Sequence, residues 1–274
     1  MKFAKKITAV LLAGLTLGAF SGAAPASSRL DTILEEGVIT LCTSPYYAPY
    51  EFIDNTKSGQ EQYVGSDMAL GRYIAQKLGV KLEIVPMEFS AVLAAIARGK
   101  YDIAIGALTY TPKRAKSMEL SAAYKKGAEQ GIMVRKENAK KYSSMADFNN
   151  SNVTISFHSG SLQEQLVQMQ LPKATQHIFD TVQNAVLALV AGKVDAVAVA
   201  IPNGELYVQA NPELEILPYR FEQEVSGLVV AAQKGETELV ARISQIITEV
   251  VEKDLYTTWT NEAQAIAATL GVSK

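Results

Sequence analysis

Runs rich in branched and small apolar residues recur along this chain, each followed by a helical stripe, and that alternation restricts the fold more than any other feature. VITLC (38–42), VKLEIV (80–85), DIAIGAL (102–108), VTISF (153–157) and VDAVAVA (194–200) read as short strands, the last three nearly free of charge as in strands buried on both faces. Between the first two, Met68, Leu70, Tyr73, Ile74, Ala75 and Leu78 line one helical face that ends at Gly79, with Ser66 or Asp67 as the expected N-cap. The segments AVLAAIARG (91–99) and VQNAVLALVAGK (182–193) repeat the helical pattern. A strand-helix-strand order needs crossovers, so the expectation is an α/β protein with parallel-rich sheets flanked by helices.

The pattern runs twice. After the first unit, GIMVRK (131–136) reads as a strand, residues 142–148 as a brief helix, 162–169 as a helix, and 178–179 and 214–217 as short strands. VSGLVVAA (225–232) has no place in the second unit and resembles GIMVRK, so both are read as hinge strands by which the chain leaves one lobe and returns. The boundaries follow: residues 27–127 with 225–274 form lobe 1, and 128–224 form lobe 2. Leu239, Ile243, Ile246, Ile247 and Val250 give the last segment an amphipathic helix for lobe 1, with Tyr256 and Trp259 adding core contacts.

The beginning of the chain predicts export. MKFAKK is basic, residues 7–20 are apolar and small, and Ala24-Pro25-Ala26 supplies a cleavage pattern, so residues 1–26 read as a signal peptide cut near Ala26, leaving a periplasmic protein. Formal charge is near neutral, 26 Lys and Arg against 28 Asp and Glu, and the basic residues are scattered, which argues against a nucleic-acid partner. The single cysteine, Cys42, sits in a strand and reads as a small core residue. No His, Cys or carboxylate grouping has metal-ligand spacing, so neither a metal nor a cofactor is expected. A monomer is expected, because no long apolar surface helix is left unassigned.

Chemistry concentrates in YDIAIGALTYTPKRAKSMELS (101–121). A buried strand runs directly into Thr109, Thr111, Pro112 and Arg114, with the proline at a first helical position. Hydroxyls and a guanidinium at a helix start suit a carboxylate; an ordinary cap with Arg114 in solvent is the other reading. The first strand ends at Thr43-Ser44 and an aromatic, Pro-broken loop, placing Ser44, Tyr47 and Tyr50 where strand ends face a crevice.

Taken together, Gly65-Ser66-Asp67 before a helix ending LGVKLEIVP, then MEFSAVLAAIARGKYDIAIGALTYTPKR, then VTISFHSGS, FDTVQNAVLALVAGKVDAVAV and VSGLVVAAQKG, resemble the periplasmic polar amino acid-binding proteins of ABC importers. The resemblance implies a two-lobed periplasmic binding protein fold of type II with two hinge crossings. It implies a non-enzymatic solute-binding protein that captures a small carboxylate-bearing solute, in most members an amino acid, for an inner-membrane ABC permease. Arg114 corresponds to the family's carboxylate clamp, helped by Thr109 and a backbone N–H near Ala107, with Leu108 adjoining. Tyr47 and Phe89 correspond to aromatic walls, Ser44 to a first-loop contact, and His158, Ser161 and Leu162 to the contacting turn of the second lobe.

One position departs. Ala200 stands where the family carries an aspartate for the ligand ammonium, and Ser44 where some members carry a second acid. A buried ammonium without a carboxylate costs several kcal/mol, so either another acid serves or the ligand lacks that group. Glu205, Asp180 and Glu129 are the candidates, Asp180 reading rather as a helix cap and Glu205 as a solvated residue. His158 reads as a ligand donor or a solvated strand end, and His177 as surface. The alternative function is a secreted cyclohexadienyl dehydratase acting on arogenate or prephenate, which shares the fold and the arginine clamp.

Overall fold

The computed structural model describes residues 28–223 and 226–271; the signal-peptide reading and Val225 lie outside them. Two five-stranded sheets organise the chain. In the first, Lys81–Pro86, Val38–Thr43 and Ile103–Ala104 run parallel, and Ala231–Gln233 then inserts antiparallel between Ile103–Ala104 and Met118–Leu120. The second repeats the plan: Thr175–Phe179, Thr154–His158 and Ala196–Ala200 are parallel, and Gln130–Arg135 runs antiparallel between Ala196–Ala200 and Leu214–Arg220.

The helices fall where the apolar stripes place them. Ser66–Leu78, Phe89–Ala97, Leu162–Gln170, Val182–Val190 and Thr237–Glu252 cover the sheet faces. One face of the first sheet buries Leu41, Ile74 and Ile105 against Ile243 and Ile247; the other buries Cys42 and Ala104 against Phe89 and Ile96. The second sheet has the same two-sided core, with Phe148, Ile155 and Leu166 on one side and Val186, Leu189 and Val197 on the other. Two helices of eight residues or more escape the sequence reading. Arg29–Glu36 opens with a Ser28–Asp31 capping box, and Leu255–Leu270 buries a stripe of Tyr256, Thr260, Ala263 and Ala267, too small and polar to register as apolar periodicity.

Three expectations are corrected. GIMVRK is not a hinge: Gln130–Arg135 is buried inside the second sheet, between Ala196–Ala200 and the edge strand Leu214–Arg220, because ladder partners exist on both of its edges. The crossings lie at Lys125–Lys126 and Gly227–Leu228, which pair antiparallel with each other. Gly227 permits this, since a Cβ there would sit 2.2 Å from the Ala123 Cβ. The run 102–108 forms ladder bonds only over Ile103–Ala104, then bends where Ala107 adopts φ 45°. Finally, Gly65, not Ser66 or Asp67, holds the N-cap position of Ser66–Leu78, at φ 123° and so close to the Tyr50 carbonyl that a Cβ would lie 2.1 Å from it.

That approach positions a functional group. The Ser66 and Asp67 amides donate to the Pro49 and Tyr50 carbonyls, which brings the Asp67 side chain beside Glu51.

Candidate functional site

A cavity of about 310 Å³ lies at the carboxyl ends of the parallel strands, lined from both sheets and by the crossing at Lys125 to Ala128. Such a volume suits a small metabolite. Of the residues singled out from sequence, Ser44, Tyr47, Phe89, Ala107, Thr109, Arg114, His158, Ser161, Leu162 and Ala200 line it, and so does Tyr50. Leu108 does not. Once Ala107 has turned the backbone, the Leu108 side chain points into the core with Phe89 and Val229, where 2% of it is exposed.

Arg114 carries the cavity's buried positive charge. Thr111 caps the helix Pro112–Ser117 by accepting from the Arg114 N–H, which fixes the arginine in the first turn. Its side chain is buried; Nη1 donates to the Thr109 carbonyl at 2.7 Å and Nη2 to the Gly160 carbonyl at 3.1 Å. Nε has no hydrogen-bond partner among the described residues, and the guanidinium lies 5.8 Å from the Phe89 ring centre. Burial lowers the guanidinium to about 10, still a cation at neutral pH. The Ala107 N–H, expected to face a ligand carboxylate, instead donates to Asp67 at 2.6 Å, because the positive φ turns the amide toward that side chain.

Across the cleft, Thr154–His158 ends in a turn whose Ser161 hydroxyl caps Leu162–Gln170. The His158 ring packs 5.2 Å from Phe89. Burial depresses it to about 4, partly offset by a hydrogen bond to the Asp180 backbone, and Nε2 is buried without a partner among the described residues. The two halves therefore touch: Arg114 meets Gly160, Phe89 meets His158, and Asn203 donates to the Ala48 carbonyl at 3.2 Å. Tyr47 and Tyr50 stack at 5.6 Å along the same wall.

None of the three candidate acids reaches the cavity. Asp180 and Glu205 are exposed, Glu129 pairs with Arg220 at 3.3 Å, and Thr181 rather than Asp180 caps Val182–Val190. His177 is exposed, as expected. The acid that does line the cavity is Glu51, 1% exposed, which the sequence reading passed over within the aromatic, Pro-broken loop after the first strand. Burial first, and the adjoining Asp67 second, push its carboxyl well above the usual range. Asp67 is also raised by burial but accepts from the Ala107 N–H, from Tyr124 Oη at 3.0 Å and from Tyr256 Oη at 2.5 Å. Burial raises both carboxyls, and the three donors on Asp67 favour its ionised form, so a proton shared by the pair is favoured on Glu51. The pairing of an acidic strand residue with an acid at a helix start was the only sequence sign of it. Lys125, in the crossing, lies 5.5 Å over Tyr50 and 5.4 Å over Tyr256 and faces the Asp67 charge. Among the described residues, no grouping of His, Cys, Asp or Glu could hold a metal ion, and no helix is long and apolar enough to cross a membrane.

Two α/β sheets, a cleft walled by both and two paired crossings define a two-lobed binding protein that closes on a small solute. Residues 39–262 match the model of the bacterial extracellular solute-binding proteins, family 3, and the chain belongs to that family. It is 27% identical over 203 residues to a cyclohexadienyl dehydratase of Pseudomonas aeruginosa, covering 74% of each chain. It is 21% identical over 255 residues to ABC transporter arginine-binding protein 1 of Escherichia coli, covering 92% of this chain and 95% of that one. An amino acid ABC transporter substrate-binding protein from Streptococcus pneumoniae, solved bound to L-arginine, superposes with a TM-score of 0.80 at 29% identity, covering 86% of this chain and 98% of that one.

Proposed function

We propose that this chain captures a small carboxylate-bearing solute, an amino acid or a close analogue, and delivers it to an inner-membrane ABC permease without altering it. Arg114 carries this reading. A buried guanidinium whose Nε lacks a partner, at the wall of a cavity sized for a metabolite, suits an anion, and a charge-assisted hydrogen bond contributes about 1.5–3 kcal/mol. Ser44, Tyr47, Phe89, Thr109, His158, Ser161, Leu162 and Ala200 complete the enclosure. The lobes comprise 27–127 with 225–274, and 128–224; the protein works as a periplasmic monomer after cleavage near Ala26. The test is ligand-induced thermal stabilisation of the Arg114→Ala variant, using whatever native mass spectrometry finds retained in the cleft. The stabilisation disappears while the unliganded melt is kept; unchanged stabilisation would remove the clamp role.

A second reading is favoured by one observation. Glu51 is an acid at the cavity wall whose carboxyl is pushed well above its usual range, as in enzymes that use a carboxyl for proton transfer, and a dehydratase is among the relatives. Incubation with prephenate and arogenate separates the readings: release of an aromatic product supports the enzyme, and recovery of intact substrate supports the binding protein.

A further inference from the structure

Three side chains at the cavity wall each have a buried polar atom without a partner among the described residues: Arg114 Nε, Glu51 Oε2 and His158 Nε2. Their chemistry is complementary and specific. Arg114 Nε–H is a cationic donor and calls for an anionic acceptor. His158 commits its other ring nitrogen to the Asp180 backbone, so its neutral ring presents Nε2 as a lone pair. Glu51 shares its proton with Asp67, which leaves Oε2 a carbonyl-like acceptor without charge. These three groups thus offer one cation and two neutral acceptors, and Lys125 and Lys126 add positive charge to the lining.

Among the described residues, no counter-charge remains for an ammonium group. Glu129, Asp180 and Glu205 do not line the cavity. Asp67 lies behind Glu51, and its charge is taken by the Ala107 N–H, the Tyr124 and Tyr256 hydroxyls and the neighbouring Lys125. A primary ammonium buried here would be solvated by neutral acceptors only, which is unfavourable for a full charge. A quaternary ammonium has no N–H and would leave both acceptors unpaired, and Lys125 already lies over the Tyr50 ring. A keto group has no donor. A hydroxyl has one, and it carries no charge.

We propose that the solute is an α-hydroxy acid with an apolar or aromatic body: its carboxylate meets Arg114 and its hydroxyl donates to Glu51 or His158. The walls of Tyr47, Tyr50 and Phe89 take the body. This rests on the carboxylate reading above and narrows it.

The test is calorimetric titration of the full chain, stripped of retained ligand, with matched probes: phenyllactate against phenylalanine, the hydroxy analogue of leucine against leucine, L-arginine, glycine betaine, and phenyllactamide. The expected result is that a hydroxy acid binds at least about tenfold more tightly than its amino acid, with arginine and betaine weaker still. An amino acid, arginine or betaine binding as tightly as the best hydroxy acid, or no hydroxy acid binding, overturns the inference. Phenyllactamide binding as well as phenyllactate instead overturns the carboxylate reading beneath it.

Discussion

Arg114 Nη2 donates to the Gly160 carbonyl at 3.1 Å, so the cation at the first sheet's edge also holds the turn that follows the second sheet's Thr154–His158 strand. Gly160 sits at φ 74°, and a Cβ there would lie 3.2 Å from Leu93 Cδ1 and 3.4 Å from the Ser90 Cα. The backbone cost of alanine at such a φ, about 1–2 kcal/mol, applies whether the cleft is open or closed. The contact with Leu93 and Ser90 exists only when the halves meet. Gly160→Ala should therefore weaken ligand binding by more than its melting temperature suggests and raise the radius of gyration in small-angle scattering. An unchanged radius and affinity would mean that this turn does not approach Ser90 in solution.

The Glu51–Asp67 pair makes stability fall with rising pH. Glu51 is raised well above its ordinary range by burial and by Asp67, so the folded protein keeps a proton that the unfolded chain releases above roughly pH 4.5. The slope of stability with pH is then negative from that point up to the folded pKa. Glu51→Gln should flatten this decline in urea titrations run upward from about pH 4.5; a decline equally steep in the variant would place its origin elsewhere. Asp67→Asn should be harsher, because an amide nitrogen would face donors at one oxygen position. We expect the melting temperature to drop by about 5–15 °C.

Cys42 is fully buried in Val38–Thr43, an interior strand of the first sheet, and burial pushes its thiol up to about 12. Only the thiolate attacks disulfide reagents, so the folded protein should not react with one at pH 8 over minutes, and reaction should track unfolding in denaturant. Rapid labelling of the native protein would mean that this sheet opens locally.

The alternation of apolar strands and helical stripes made the two α/β units legible, because burial on both faces leaves a continuous apolar run such as 194–200. The helix start that places Arg114 at the cavity was legible too: Thr111, Pro112 and Arg114 are local signals, and local signals need no knowledge of the fold. What depends on distant partners was not. Gln130–Arg135 looks like a hinge until strands 196–200 and 214–220 are placed beside it. Glu51 is an ordinary polar strand residue until Gly65 brings Asp67 beside it, and Tyr256 from the C-terminal helix completes the network from 189 positions away. Leu108 was misplaced for a similar reason, since the positive φ at Ala107 reverses which neighbour faces the cavity.

His158 sets the acid limit of the closed cleft. Burial against Phe89 depresses its ring to about 4, and the hydrogen bond to the Asp180 backbone offsets only part of that. The unfolded chain takes up a proton near pH 6.5, whereas the folded ring resists it until about pH 4, so this residue's contribution is complete above pH 6.5 and is lost as pH falls through that window. Ligand affinity should fall over the same interval, since a protonated Nε2 presents a donor where the neutral ring presents an acceptor. A ring proton titration by NMR should give a value near 4 for His158 in the ligand-bound form. In His158→Gln, which keeps a neutral polar group, affinity should change little between pH 5 and pH 7. If the wild type shows no weakening on acidification, or if His158 titrates near 6.5 with ligand bound, the ring is solvated and the cleft does not close over it.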